Sequence, residues 1–360
     1  MNDAINITAT PKQAMESALH ILRSGNTPFF IGGVGIGKSS IVREMVDVLA
    51  DGLSVVRDVI NPSKKQFGFI DLRLSLLESI DLGGIPIPEQ VGDHWIQRRA
   101  FLGNLPTGGV GLLFLDEFQQ AHPSVQTICS QLVYERRIGE YQLPRGWCIV
   151  CASNRASDRA GAHRMTSNNR SRVWEMTVKS SADDFLQYGS ANGFHPDVLA
   201  YISYRQDALN QFDPKIDAPQ TTPRGWEFIS DVLNTDPPKE LYNLLFAGFI
   251  GAEQAIEFST FLSLKDDVPD LKAILTGKKV DVPDKAGLCY ATICAILSVM
   301  KDAKDSVIHD WFSNALAYIE RMPTPEFGIL FVRQIANARA EVKESDSFVK
   351  FKVANQDLEI

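Results

Sequence analysis

Gly32-Gly-Val-Gly-Ile-Gly37-Lys38-Ser39 decides how the rest of the chain reads. The string fits G-x-x-x-x-G-K-[ST], and its surroundings weigh more than the pattern alone. Phe29-Phe30-Ile31 ahead of it is apolar and aromatic, as a buried strand is. Ile41-Val-Arg-Glu-Met-Val-Asp-Val-Leu49 behind it carries apolar residues at helical spacing. Strand, glycine loop and helix in that order make a phosphate-binding loop. Glycines let backbone N–H groups turn inward around phosphates, and the helix N-terminus adds partial positive charge. Lys38 is placed to reach β/γ-phosphates, and the Ser39 hydroxyl to ligate Mg²⁺. The expected nucleotide-binding set is therefore Gly32, Gly33, Val34, Gly35, Ile36, Gly37, Lys38, Ser39 and Ser40.

A chain of 360 residues exceeds what one hydrophobic core usually supports, so two domains are expected. Its apolar fraction of 44% and charged fraction of 22% are those of a soluble globular protein. The net charge of −8 argues against broad binding to a nucleic-acid backbone, while leaving room for a local basic patch. Five cysteines, an odd number without a disulfide-like framework, point to a reducing compartment. Cys148-Ile-Val-Cys151 spells C-x-x-C, yet no second pair completes a zinc set, and two core thiols are the favoured reading. Met1 to Thr10 has no basic segment followed by an apolar core. Ala286 to Met300, 15 residues free of charge, is short for a membrane span and reads as a buried helix. The expectation is a cytoplasmic protein with no membrane partner.

Residues 1–180 alternate apolar runs with helical patterns, the mark of a parallel α/β sheet. Pro11 to Leu22 reads as a helix, and Gly68 to Leu74, Gly111 to Leu115, Trp147 to Ala152 and Val173 to Val178 as further strands. Residues 181–360 change to helices separated by proline-containing turns such as Asp213-Pro214 and Pro237-Pro238.

Four further elements follow the loop in order. Leu112-Leu-Phe-Leu115-Asp116-Glu117 is an apolar strand ending in two carboxylates, about 75 residues after the loop. Asp116 at the strand tip can hold the Mg²⁺ shell, partly through water, with Ser39; Glu117 can polarise an attacking water. Ser153-Asn154 ends the Trp147–Ala152 strand, where a polar amide would face that water. Arg155, Arg159, Arg164, Arg170 and Arg172 fall within 18 residues, opposed by one acid, Asp158. Such a cluster can supply an arginine to the γ-phosphate, in cis or from a neighbouring subunit. Thr222-Pro223-Arg224-Gly225-Trp226 sets a proline at a helix start with an arginine behind it.

With these elements in this order the chain resembles the AAA+ ATPases, and within them the MoxR-like clade. Asp71-Leu-Arg-Leu-Ser75 with Asp81-Leu-Gly-Gly-Ile-Pro86 is similar to the clade's segment after the second core strand. Ile85-Pro-Ile-Pro-Glu-Gln-Val-Gly-Asp-His-Trp-Ile96 is similar to its β-hairpin insert, and Gly139-Glu-Tyr-Gln-Leu143 to its extra hairpin. Gly248-Phe-Ile-Gly251 and Met322-Pro-Thr-Pro-Glu326 resemble members found in bacteriophage genomes, which would place the protein in host cytoplasm. The resemblance implies an α/β fold: a P-loop αβα parallel-sheet AAA+ core at 1–180 with hairpin inserts at about 83–100 and 136–146. An all-helical C-terminal lid and extension at 181–360 would follow. It implies ATP and Mg²⁺ as cofactors, Lys38 and Ser39 as Walker A, and Asp116 and Glu117 as Walker B. Asn154 takes the sensor 1 place and Arg224 that of the sensor 2 arginine. Arg170 takes the place of the trans-acting finger, with Arg172 as its alternative, because Ser171 stands where the family has Phe.

The function implied is that of an ATP-hydrolysing ring, usually a hexamer, acting as a remodelling chaperone on a protein substrate. Such proteins often work beside a partner carrying a von Willebrand factor A domain. Two other readings stay open: a motor or loader acting on DNA, for which Arg98-Arg99 beside Trp95 argues weakly, and an ATP-dependent assembly scaffold.

Overall fold

The computed structural model describes residues 8–100, 105–158, 170–301 and 303–355. By its internal contacts the chain divides into two compact units. One runs through Phe185 and takes in Asn210–Asp217 and Thr222–Arg224; the other holds Leu186–Leu209, Ala218–Thr221 and the chain from Gly225 on.

The first unit is built on a seven-stranded sheet. Its strands are β1 (Thr8–Ala9), β2 (Pro28–Gly32), β3 (Ser54–Arg57), β4 (Gln66–Arg73), β7 (Gly111–Asp116), β10 (Trp147–Asn154) and β11 (Trp174–Val178). They lie in the order β1-β11-β2-β10-β7-β4-β3, and every pairing is parallel. A parallel sheet needs crossovers and covered faces, so its central strands are apolar on both sides. The alternation sorts cleanly. Phe29, Ile31, Leu113, Leu115, Ile149 and Cys151 face one core, which also holds Val125, Cys129 and Leu132 of α4 (Pro123–Glu135). Phe30, Leu112, Phe114, Val150 and Ala152 face the other, with Ala14 and Ala18 of α1 (Pro11–Arg23) and Val42, Met45 and Val46 of α2 (Lys38–Ala50). That two-sided burial is why these strands read as unbroken hydrophobic runs. Helix α1 begins where Thr10 caps it: Thr10 Oγ1 accepts from Gln13 N at 3.4 Å, and Gln13 Oε1 accepts from Thr10 N at 3.1 Å. Pro11 takes the first helical position, where no N–H is needed.

Two hairpins interrupt this core. β5 (Ile85–Val91) pairs antiparallel with β6 (His94–Ala100), and β8 (Arg137–Ile138) with β9 (Tyr141–Gln142). A short helix, α3 (Ser79–Gly83), leads into the first of them. Every residue of β5 and β6 is exposed.

After β11 every described regular element is helical, from Ala182–Ala191 to Asp346–Ala354. The fold class is the expected one: a P-loop αβα parallel-sheet core followed by a helical C-terminal region. Within the second unit Tyr201, Trp226, Phe258 and Phe261 pack ring against ring, and Trp226 Nε1 donates to the Ala208 carbonyl at 2.9 Å. A separate apolar cluster runs through Ile293, Phe312, Phe331 and Phe348. No described helix is long and apolar enough to cross a membrane.

Candidate functional site

Three adjacent strands end together. In the sheet β10 lies between β2 and β7, so Asn154 stands beside Gly32, and Asp116 closes the next strand. Open α/β sheets bind ligands at the carboxyl ends of their strands, and these are the ends concerned. The loop joining β2 to α2 turns through Gly35 at φ 69° and Gly37 at φ 93°, the left-handed region that side chains avoid. The Gly35 carbonyl accepts from Arg224 N at 3.1 Å, and a β-carbon on Gly35 would stand 2.9 Å from Thr222 Oγ1. Helix α2 then starts at Lys38 with no side chain capping its N-terminus. Around Gly37 a β-carbon would meet nothing within 4 Å. The result is an open cradle of N–H groups at a helix start, suited to anionic oxygens.

The polar side chains converge on that cradle. Lys38 Nζ donates to the Gly33 carbonyl at 2.8 Å, the Gly32 carbonyl at 3.0 Å and Asn154 Oδ1 at 2.8 Å. Ser39 Oγ donates to Asp116 Oδ2 at 3.1 Å, while Asp116 Oδ1 accepts from Glu117 N at 2.8 Å. Glu117 sits at φ 56°, a conformation that costs a non-glycine residue energy and re-aims its side chain. Its carboxylate accepts a hydrogen bond from the Ser75 hydroxyl. Ser153 ties the β10 tip to the turn after β7: its Oγ accepts from Gln119 N at 3.2 Å and donates to Gln120 Oε1 at 2.9 Å.

Burial sets the electrostatics. It pulls Lys38 down to about 8, a fall that Asp116 and Asp158 oppose and Arg224 and Arg155 deepen. Burial also pushes Asp116 up, against the hydrogen bonds from Glu117 N and Ser39. Asp71 on β4 is raised for the same reason, with Asp116 adding to it. Asp71 Oδ1 is buried and finds no hydrogen-bond partner. Asp116 and the Ser39 hydroxyl, bonded to each other at the phosphate cradle, offer oxygen donors of the kind a hard divalent cation takes. Mg²⁺ is commonly held this way, by one or two protein oxygens together with phosphates and water. The residues present therefore fit both groups that the loop implies.

Arg170 and Arg172 are not gathered into this cluster. The Arg170 guanidinium pairs with Glu175 at 3.4 Å, and Arg172 lies over the Tyr134 ring at 5.0 Å. Arg159 and Arg164 lie outside the described residues. Arg155 Nε pairs with Asp158 Oδ2 at 3.2 Å. Asp71 and Ser75 stand in a segment that the sequence singles out, but sequence reading gave neither a place at this site. An acid inside an apolar strand was a usable signal for Asp71; Ser75 carried none.

No protein-family model matches the chain, and no curated protein matches it. Among solved structures it is similar to a candidate ATPase from Cytophaga hutchinsonii, at 12% identity and a TM-score of 0.32, over 96% of this chain and 81% of that one. It is also similar to a variant of Thermotoga maritima RuvB, at 14% identity and a TM-score of 0.33, over 74% and 75%. The Thermotoga maritima RuvB Holliday junction branch migration motor matches at 12% identity and a TM-score of 0.30, over 74% of each chain. These likenesses are loose, and the geometry of the strand tips alone supports the reading that follows.

Proposed function

We propose that this chain is an ATP-hydrolysing, ring-forming AAA+ ATPase of MoxR-like type that remodels or activates a protein partner. The observation that carries the reading is the joining of Lys38 to Asn154 and of Ser39 to Asp116 at the ends of adjacent parallel strands. The loop N–H groups and Lys38 bind the β/γ-phosphates of ATP. Ser39 and Asp116 hold Mg²⁺, in part through water; the ion, when bound, supplies neutralisation of phosphate charge. Glu117 accepts a proton from water as its oxygen bonds to the γ-phosphorus and the bond to the bridging oxygen of ADP breaks. Asn154 orients that water, and Arg224 offsets charge from within the subunit. Arg170 does so from the next subunit of a ring, probed by mixing Arg170→Ala with Lys38→Ala protein: recovered turnover supports a trans role, and none in proven mixed rings refutes it.

Phosphate release from Mg²⁺-ATP tests the enzyme directly. Release at the buffer background would leave only a nucleotide-ordered scaffold. Capture by the Glu117→Gln variant held in ATP tests the partner; a protein with a von Willebrand factor A domain is the expected catch. The hairpin arginines lend little to a DNA reading. Arg98 pairs with Glu89 at 2.6 Å, and Arg99 donates to the Gly83 and Gly84 carbonyls at 3.2 and 3.3 Å. Salt-sensitive DNA binding with stimulated turnover would reverse that judgement.

A further inference from the structure

A second cation touches the phosphate loop. A β-carbon built on Gly33 would lie 3.0 Å from Arg155 Nη2, so the guanidinium rests against the loop residue whose carbonyl accepts from Lys38 Nζ. Arg155 directly follows Asn154, at the end of the strand beside β2. Its aim is set locally. Arg155 Nε donates to Asp158 Oδ2 at 3.2 Å, Ser157 Oγ donates to Asp158 Oδ1 at 3.3 Å, and Asp158 N returns to the Arg155 carbonyl at 3.0 Å. The Asp158 side chain is only 3% exposed, so this carboxylate is buried beside the loop.

Lys38 and Arg155 thus meet at one glycine, with Arg224 held to Gly35 two residues on. Like charges gathered in a partly dry site disfavour one another unless an anion lies between them. Asp158 offsets part of this excess, and Lys38 responds to all three neighbours. The guanidinium rests on the loop residue that Lys38 also bonds, and its planar fork suits phosphate oxygens.

We propose that Arg155 is a further phosphate-contacting residue of this chain's own site, reading the terminal phosphate of the nucleotide, and that Asp158 is its positioning residue. This rests on the nucleotide reading above. Equilibrium binding of a non-hydrolysable ATP analogue and of ADP, both with Mg²⁺, provides the test. Arg155→Ala should weaken the analogue by about tenfold or more, as loss of a charge-assisted contact does, and ADP by less than about threefold. Arg155→Gln, closer in length but uncharged, should show the same selective loss. Arg155→Lys should recover part of it, and Asp158→Asn should lower affinity for the analogue with ADP again spared. Equal weakening of both nucleotides by Arg155→Ala and Arg155→Gln, or of neither, overturns the proposal. Wild-type protein that binds neither nucleotide sinks the nucleotide reading itself; wild-type binding untouched by either Arg155 variant sinks the arginine alone.

Discussion

Lys38 is 8% exposed and Trp95 is 69% exposed. An ammonium is packed away at the sheet's carboxyl edge, while an indole stands in solvent on the β5–β6 hairpin. Ordinary patterning would reverse the two. At the strand tips the cost of burying charge is met by local partners: three acceptors for Lys38, a hydroxyl and an N–H for Asp116. On the hairpin nothing comparable offsets exposure. Ile85, Ile87, Val91 and Ile96 stand open with Trp95, although a two-stranded ribbon alone is marginally stable. Concentrated departures of this kind are expected where function, not folding, sets the residue. On the proposed function the strand tips carry the chemistry, and the hairpin, open on every residue, is the surface whose role the last prediction probes.

The largest effect expected belongs to the tips. Glu117→Gln should lower phosphate release by about 10²- to 10⁴-fold, the worth of a general base, while ATP affinity stays within a few-fold. Normal turnover in that variant would break the assignment of Glu117. Next comes the support beneath the site. Trp147 fills space that Gly68 and Gly111 leave open: β-carbons there would meet its Cη2 at 2.5 and 2.8 Å, and its Nε1 donates to the Gly108 carbonyl at 2.8 Å. Trp147→Ala should cost about 3–5 kcal/mol, read as a lower urea midpoint. An unchanged midpoint would mean that the β4–β7–β10 packing is not what holds the tips in place. Asn154→Ala, which deletes one acceptor of Lys38, should lower turnover by about tenfold, a loss on the scale of one hydrogen bond to a charged group. Steady-state kinetics with unchanged turnover would remove Asn154 from the mechanism.

How far the sequence led depended on how local each signal was. The central strands were legible because burial on both faces leaves an unbroken apolar run. β1 and β3 were not: one is two residues long, and the other is a four-residue edge strand with no buried side chain. Lys38, Ser39, Asp116 and Asn154 announced themselves through strings that fall at element ends, where the structure has them. Ser75 meets Glu117 across 42 residues, and Arg155, named only as one of five clustered arginines, reaches Gly33 from just past the end of β10; no string records either contact. Arg98-Arg99 beside Trp95 argued weakly for DNA, yet Arg98 pairs with Glu89 and the Arg99 guanidinium is spent on the carbonyls where α3 meets β5. Charge in a sequence does not say which backbone will claim it.

The smallest effect expected is the one that bears most on the hairpin. Trp95 pairs with Gln90 across β5 and β6, with no buried residue on either strand. Trp95→Ser should therefore change folding stability by no more than about 0.5 kcal/mol, as exposed positions generally do. Basal phosphate release should also stay at the wild-type level, since no site residue leans on the indole. What should fall is capture of partner protein by the Glu117→Gln form when it also carries Trp95→Ser. A drop in melting temperature of several degrees would show that the indole is structural after all and erase the contrast with Lys38. Intact stability with undiminished capture would keep the contrast and move the contact surface off the hairpin.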